Sequence, residues 1–151
     1  MEGVGPKIEK KVLQGVNKLL YMNVNGLMSS RLEVEELLER EKPDMLVLTE
    51  TKWKDEWGDP EMGKGKYDCW MKNRRNKAGG GVMILIKKNI GIDRVEISEN
   101  NTEIVKVVVR NPRGEERSYM GVYVPPLSNA WTRREYDTMV DATKREMEET
   151  I

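Results

Sequence analysis

The chain of 151 residues contains no histidine and no phenylalanine, and a single cysteine, Cys69. The missing histidine removes the commonest general acid/base near neutral pH. One cysteine excludes an intramolecular disulfide framework and fits a reducing compartment, so the expected location is cytoplasmic or nuclear. No apolar run approaches the roughly 20 residues that a membrane span needs, and no membrane contact is expected. The opening MEGVGPKIEKKVLQG lacks the apolar centre of a signal peptide. Charge of one sign is also missing, because 26 basic residues balance 26 acidic ones. A dedicated nucleic-acid binder is usually more basic.

The composition that is present, 38% hydrophobic and 34% charged, suits one ordinary domain. Residues 1–16 read as a polar leader expected to be mobile, and residues 17–151 as the domain itself. Lys18 to Val24 reads as a strand, followed by an Asn25-Gly26 turn. Ser30-Arg31-Leu32-Glu33 matches a capping box and predicts a helix from Ser30 to Pro43. Asp44 to Thr49 reads as the next strand. Further strands are expected at Tyr67–Met71, Val82–Lys87, Ile92–Ile97, Glu103–Val109 and Ser118–Val124, with a hairpin turn at Asn111-Pro112-Arg113-Gly114. A second capping box, Thr132-Arg133-Arg134-Glu135, opens a last helix. Its apolar face would carry Tyr136, Met139, Val140, Thr143, Met147 and Ile151.

A strand–helix–strand unit implies parallel strands with a right-handed crossover. Their carboxyl ends then share one edge, where Asn23, Asn25 and Glu50 come together. An apolar strand that delivers a carboxylate to such an edge is a common way to present a metal ligand. Each residue also has a plain reading. Glu50 alone could be a solvated carboxylate, Asn25 serves a turn as readily as a ligand, and Tyr123 could be a core aromatic on one face with Tyr119 and Gly121. The stretch from Met71 to Lys88 holds Lys72, Arg74, Arg75, Lys77, Lys87 and Lys88 and no acidic residue. It reads either as a solvated connection or as a contact for a nucleic-acid backbone, with Tyr67 and Trp70 beside it. Gly79-Gly80-Gly81 is not a phosphate-binding loop, because no Gly-Lys-Ser/Thr follows.

Four segments occur together in order: Asn23-Val24-Asn25-Gly26-Leu27, Leu48-Thr49-Glu50-Thr51-Lys52, Gly80-Gly81-Val82-Met83-Ile84-Leu85 and Val122-Tyr123-Val124-Pro125-Pro126. In this order they resemble the endonuclease/exonuclease/phosphatase family. The resemblance is strongest to the apurinic-endonuclease-like domain of non-LTR retrotransposons and their domesticated relatives, with the craniofacial development protein 2-like group as a neighbour. It implies an α/β fold, a partial four-layer α/β/β/α sandwich whose C-terminal part is missing. It implies Glu50 as principal ligand of Mg²⁺ or Mn²⁺, held weakly or not at all here, with Asn23 and Asn25 assisting. Asn23, Glu50 and Tyr123 would form the catalytic set, Tyr123 on the scissile phosphate. Lys52 would contact nucleic acid, making DNA the implied partner, and the basic run adds Lys72, Arg74, Arg75 and Lys77 as further candidates for that contact.

Two family motifs are missing from these residues: a strand ending in Gly-Asp-x-Asn and a closing Asp-His. Without them a bound metal could stabilise charge, but water activation would fall to solvent. The chain is therefore expected to be a truncated, catalytically incomplete remnant of a metal-dependent DNA endonuclease domain. A working endonuclease completed by further sequence and a domesticated protein-interaction module are the alternatives. An uncovered sheet face would favour self-association.

Overall fold

The computed structural model describes residues 14–75 and 77–149. Seven strands and two helices are found among them, in two sheets. The strands are β1 (Leu19–Asn23), β2 (Met45–Thr49), β3 (Tyr67–Lys72), β4 (Val82–Lys87), β5 (Ile92–Ile97), β6 (Glu103–Arg110) and β7 (Glu116–Tyr123). The helices are α1 (Leu27–Glu41) and α2 (Arg133–Glu148). The first sheet runs β1-β2-β4-β3, and the second β5-β6-β7. The mixed α/β architecture of two packed sheets matches the expectation.

β1 and β2 are parallel, with Asn23 opposite Thr49, as a strand–helix–strand unit requires. β2, β4 and β3 then pair antiparallel. Alternation along β2 and β4 feeds two cores, because successive side chains point to opposite faces. Leu46, Leu48, Met83 and Leu85 pack under α1 with Leu27, Val34 and Leu38. Met45, Val82, Ile84 and Ile86 face the second sheet and meet Val105, Val107 and Val109 of β6. Gly121 of β7 is required at this inter-sheet contact, since a Cβ there would meet Val82 Cγ1 at 2.9 Å and Val47 Cγ1 at 3.1 Å. Central strands buried on both faces explain why β4 reads as a continuous apolar run.

Helix α1 begins at Leu27, not at Ser30. Gly26 is its N-cap at φ 100° with no side-chain cap, while Ser30 Oγ donates to the Val24 carbonyl at 2.8 Å. The capping box is displaced because tertiary partners satisfy the first donors. Gly26 N–H donates to Glu50 O at 2.7 Å and Leu27 N–H to Thr51 O at 2.8 Å. The helix closes ahead of Pro43 as expected, with Lys42 in the left-handed region donating to Leu38 O. The second capping box holds: Thr132 and Glu135 satisfy one another reciprocally. Met139 and Thr143 are buried, but Met147 is 44% exposed, so the packed face of α2 is shorter than its sequence pattern. Ile151 lies outside the described residues, as do residues 1–13 of the expected leader. Gln14 bridges to Ile90, and Val16 packs against the inter-sheet core.

β1 lies at an edge. Leu19 and Tyr21, on the same face as Met45 and Val47, are 49% and 62% exposed. The second sheet ends at β7 and leaves this strip uncovered among the described residues.

No described helix is long and apolar enough to cross a membrane.

Candidate active site

The carboxyl ends of β1 and β2 adjoin the segment that leads into β4. Backbone bonds fasten the end of β2 on both flanks. Val24 N–H donates to Thr49 O at 3.0 Å on one side, and Lys52 N–H to Gly80 O at 2.8 Å on the other. Between them Glu50 and Lys52 adopt left-handed backbone angles, φ 53° and φ 52°, and Asn25 does the same at φ 45°. Left-handed residues other than glycine are uncommon, and they persist where surrounding structure fixes them. Here the fixing contacts are the backbone bonds on either side. Gly81 belongs to the same junction: it stands at φ 100°, and a Cβ would collide with Thr51 Oγ1.

Glu50 and Tyr123 meet across the two sheets, the Tyr123 hydroxyl donating to Glu50 Oε1. Burial pushes the Tyr123 phenol well above its ordinary value, and the hydrogen bond to Glu50 and that carboxylate's charge push it further. The phenol is thus held protonated, as a donor. This contact joins two sequence-predicted residues that lie far apart in the chain. Tyr123 also packs against the inter-sheet core, which realises its structural reading.

Asn23 sits at the end of β1, and its Oδ1 accepts the Asn25 backbone N–H at 3.2 Å. The Asn25 side chain faces a different partner, because Lys52 Nζ donates to Asn25 Oδ1 at 2.7 Å. An ammonium at that oxygen makes Asn25 a poor cation ligand in this arrangement. Asn23 and Glu50 remain, and both offer hard oxygens. Magnesium is often held by one or two carboxylates together with water and phosphate, so the donor type at Glu50 suits it. Among the described residues no cluster of three or more His, Cys, Asp or Glu side chains forms a richer cage.

The predicted basic contacts have internal partners. Lys72 Nζ donates to Ser98 O at 2.7 Å, Arg75 pairs with Asp55 at 2.8 Å and Lys77 with Glu135 at 3.1 Å. Arg75 remains 78% exposed, whereas Arg74 is turned inward. The Arg74 guanidinium meets Glu103 at 2.7 Å, with side-chain exposures of 12% and 3%. Trp131 lies between Arg74 and Lys77, 5.6 and 5.1 Å from its ring centre.

Glu103 is the residue that sequence reasoning missed. Its Oε1 accepts the Gly81 N–H at 2.5 Å and its Oε2 the Arg74 guanidinium. It stands opposite Tyr123 in the β6–β7 register, so it supports the segment against which Glu50 and Thr51 are held. Period-two alternation placed it on the face of Val105, Val107 and Val109. A carboxylate on that apolar face was the available signal. Cys69 shows no reactive environment: burial raises its thiol to about 12, with the nearby Asp59 and Asp68 adding to the effect.

No curated protein matches the chain. Among solved structures, the fold is similar to the AP endonuclease LMAP from Leishmania major, with TM-score 0.66 and 22% identity over 87% of this chain and 47% of that one. It is similar to the APE2 catalytic domain from Xenopus laevis, with TM-score 0.62 and 17% identity over 85% and 51%. It is also similar to the 3′ phosphatase NExo from Neisseria, solved with a product DNA hairpin, with TM-score 0.61 and 19% identity over 86% and 52%. The chain spans about half the length of each of these proteins. The Endonuclease/Exonuclease/phosphatase family matches over residues 20–149. That span includes the strand ends, Glu50, Glu103 and Tyr123, and the chain belongs to the endonuclease/exonuclease/phosphatase family.

Proposed function

We propose that these residues form the metal-holding and phosphate-holding half of a DNA phosphodiesterase site, and that alone they turn over little or no DNA. The observation that carries this is the Tyr123–Glu50 hydrogen bond at the joined ends of the two sheets. Glu50, with Asn23 beside it, would hold Mg²⁺ or Mn²⁺. A metal bound there would neutralise charge developing on the phosphate. Tyr123, kept protonated, would turn its single O–H from Glu50 to a phosphate oxygen once a metal neutralises that carboxylate. Lys52, at the same edge, would meet the nucleic-acid backbone, and Lys72, Arg75 and Lys77 would extend that contact. Arg74 acts within the fold. Asn25 would serve by holding Lys52.

Histidine is absent from the 151 residues, and so is a Gly-Asp-x-Asn motif. Both absences from these residues support the incomplete reading. The AP endonuclease and DNA-bound phosphatase among the structural neighbours support DNA as the substrate class. Descent from a non-LTR retrotransposon rests on the sequence resemblance. The bare strip at Leu19 and Tyr21 supports self-association through β1.

The test uses abasic duplex DNA with Mg²⁺, together with Mn²⁺ binding measured by electron paramagnetic resonance. Weak Mn²⁺ binding that disappears in Glu50→Gln, without incision, is the expected result. Robust incision abolished by Glu50→Ala would overturn the incomplete reading. Mn²⁺ binding unaffected by Glu50→Gln would overturn the metal assignment.

A further inference from the structure

A groove lies at the opposite end of the first sheet from Glu50. It has a volume of about 790 Å³ and runs between the last turns of α1, the short 3-10 turn Gly63–Gly65 and the turn after β4. Its floor is apolar, built from Leu38 and Tyr67. Tyr67 is anchored there by its hydroxyl, which donates to Pro43 O at 2.7 Å.

The walls are fixed by backbone contacts. Both oxygens of Glu35 accept the Gly63 N–H, at 3.0 and 3.1 Å, and Lys88 N–H donates to Lys66 O at 3.1 Å. Gly63 lies flat on the Tyr67 ring, where a Cβ would collide with it. A groove made this way exists before any ligand arrives, so little ordering would oppose binding.

Its charge is divided. Lys42, Lys64, Lys66 and Lys88 stand around it, and none forms an ion pair with another described residue. This contrasts with Lys72, Arg74, Arg75 and Lys77 at the other end, each of which has an internal partner. The α1 side carries Glu36 and Glu39. We propose that this groove docks an acidic peptide segment of a partner protein. An apolar side chain of that segment would sit on Leu38 and Tyr67, with its carboxylates toward the four lysines. A phosphodiester backbone fits less well. It offers no aliphatic side chain to the floor at Leu38 and Tyr67. The proposal is independent of chemistry at Glu50.

The experiment measures fluorescence anisotropy of the full chain with three short labelled probes. One is a peptide of Asp and Glu around two leucines, one has serines in place of the leucines, and one is a single-stranded oligonucleotide. Saturable binding of the leucine peptide is expected, weakened about tenfold in Lys64→Glu/Lys66→Glu/Lys88→Glu. The neutral Lys64→Gln/Lys66→Gln/Lys88→Gln variant should weaken it less, with an unchanged melting temperature. Equal binding of the serine peptide, no effect of either variant, or stronger lysine-dependent binding of the oligonucleotide would each overturn the proposal.

Discussion

Two carboxylates stand near the same edge of this fold, and they are used in opposite ways. Glu103 is 3% exposed and has both oxygens engaged, one by Gly81 N–H and one by Arg74. Glu50 is half-buried, and among the described residues only its Oε1 accepts a hydrogen bond, from Tyr123. A carboxylate whose lone pairs are all claimed inside the protein holds structure and has little left for a ligand. One with an unclaimed oxygen at a strand end can bind a cation. Residue type and position along a strand therefore do not identify a ligand. The state of the oxygens is what separates these two.

The comparison breaks most visibly at Glu103. Glu103→Ala leaves a buried guanidinium and a buried N–H without their acceptor. Removing one member of a buried ion pair costs about 3–5 kcal/mol, so the expected loss of unfolding free energy in urea is of that order. If Glu103→Ala is nearly neutral, the Arg74 pair is not a support and the contrast with Glu50 fails.

Alkali should act next, at the Glu50 end. Tyr123 has its folded pKa raised above the ordinary value of 10.0, through burial and Glu50. A group shifted this way stabilises fully below pH 10, and its contribution is lost as pH rises through the folded value. Burial adds the same trend at Tyr67, raised from 10.0 to about 12, and at Cys69, raised from 9.0 to about 12. The melting temperature should hold below pH 9 and fall progressively towards pH 12. Tyr123→Phe should flatten part of that fall. An identical slope in the variant would mean that the phenol next to Glu50 carries none of it.

Gly81 links the two carboxylates, because its N–H serves Glu103 and its Cα lies against Thr51, next to Glu50. Gly81→Ala forces a side chain into φ 100° and onto Thr51 Oγ1, at an expected cost of about 1–3 kcal/mol. The same substitution should weaken Mn²⁺ binding at Glu50, since it disturbs the junction that holds β2's end. Loss of stability with intact Mn²⁺ affinity would separate the two regions more completely than the geometry suggests.

How far these roles were legible in the sequence follows from what each residue depends on. The two-sheet fold was readable because β2 and β4 carry apolar runs, and turn residues such as Asn111 and Gly114 mark the hairpin. Glu50, Asn23 and Tyr123 were readable as motif residues at strand ends. The start of α1 was misplaced because its first donors are satisfied by Glu50 and Thr51 carbonyls, a tertiary event that no local capping pattern encodes. The basic run was readable as charge but not as paired charge. Asp55, Ser98, Glu103 and Glu135, which engage it, come from four separate segments. Glu103 was overlooked because a single carboxylate in an apolar strand gains meaning only when Arg74 and Gly81 are brought to it.

The smallest stability effect is expected at Glu50 itself, and it is the sharpest test of the comparison. Glu50→Gln keeps a carbonyl oxygen where Oε1 stands, so the Tyr123 hydroxyl can still donate. It removes a negative charge from a site where no described cation pairs with that carboxylate. The change in unfolding free energy should lie within about 0.5 kcal/mol of zero, the range of substitutions that disturb no buried partner. Mn²⁺ binding should nonetheless disappear, since a neutral amide cannot supply the charge that the proposed metal site needs. Stability and metal affinity thus move independently at Glu50. At Glu103 they should fall together, because structure is what that carboxylate supplies. A loss of more than about 3 kcal/mol in Glu50→Gln, comparable to breaking a buried pair, would place both carboxylates in the same structural role and remove the basis for the proposed metal site.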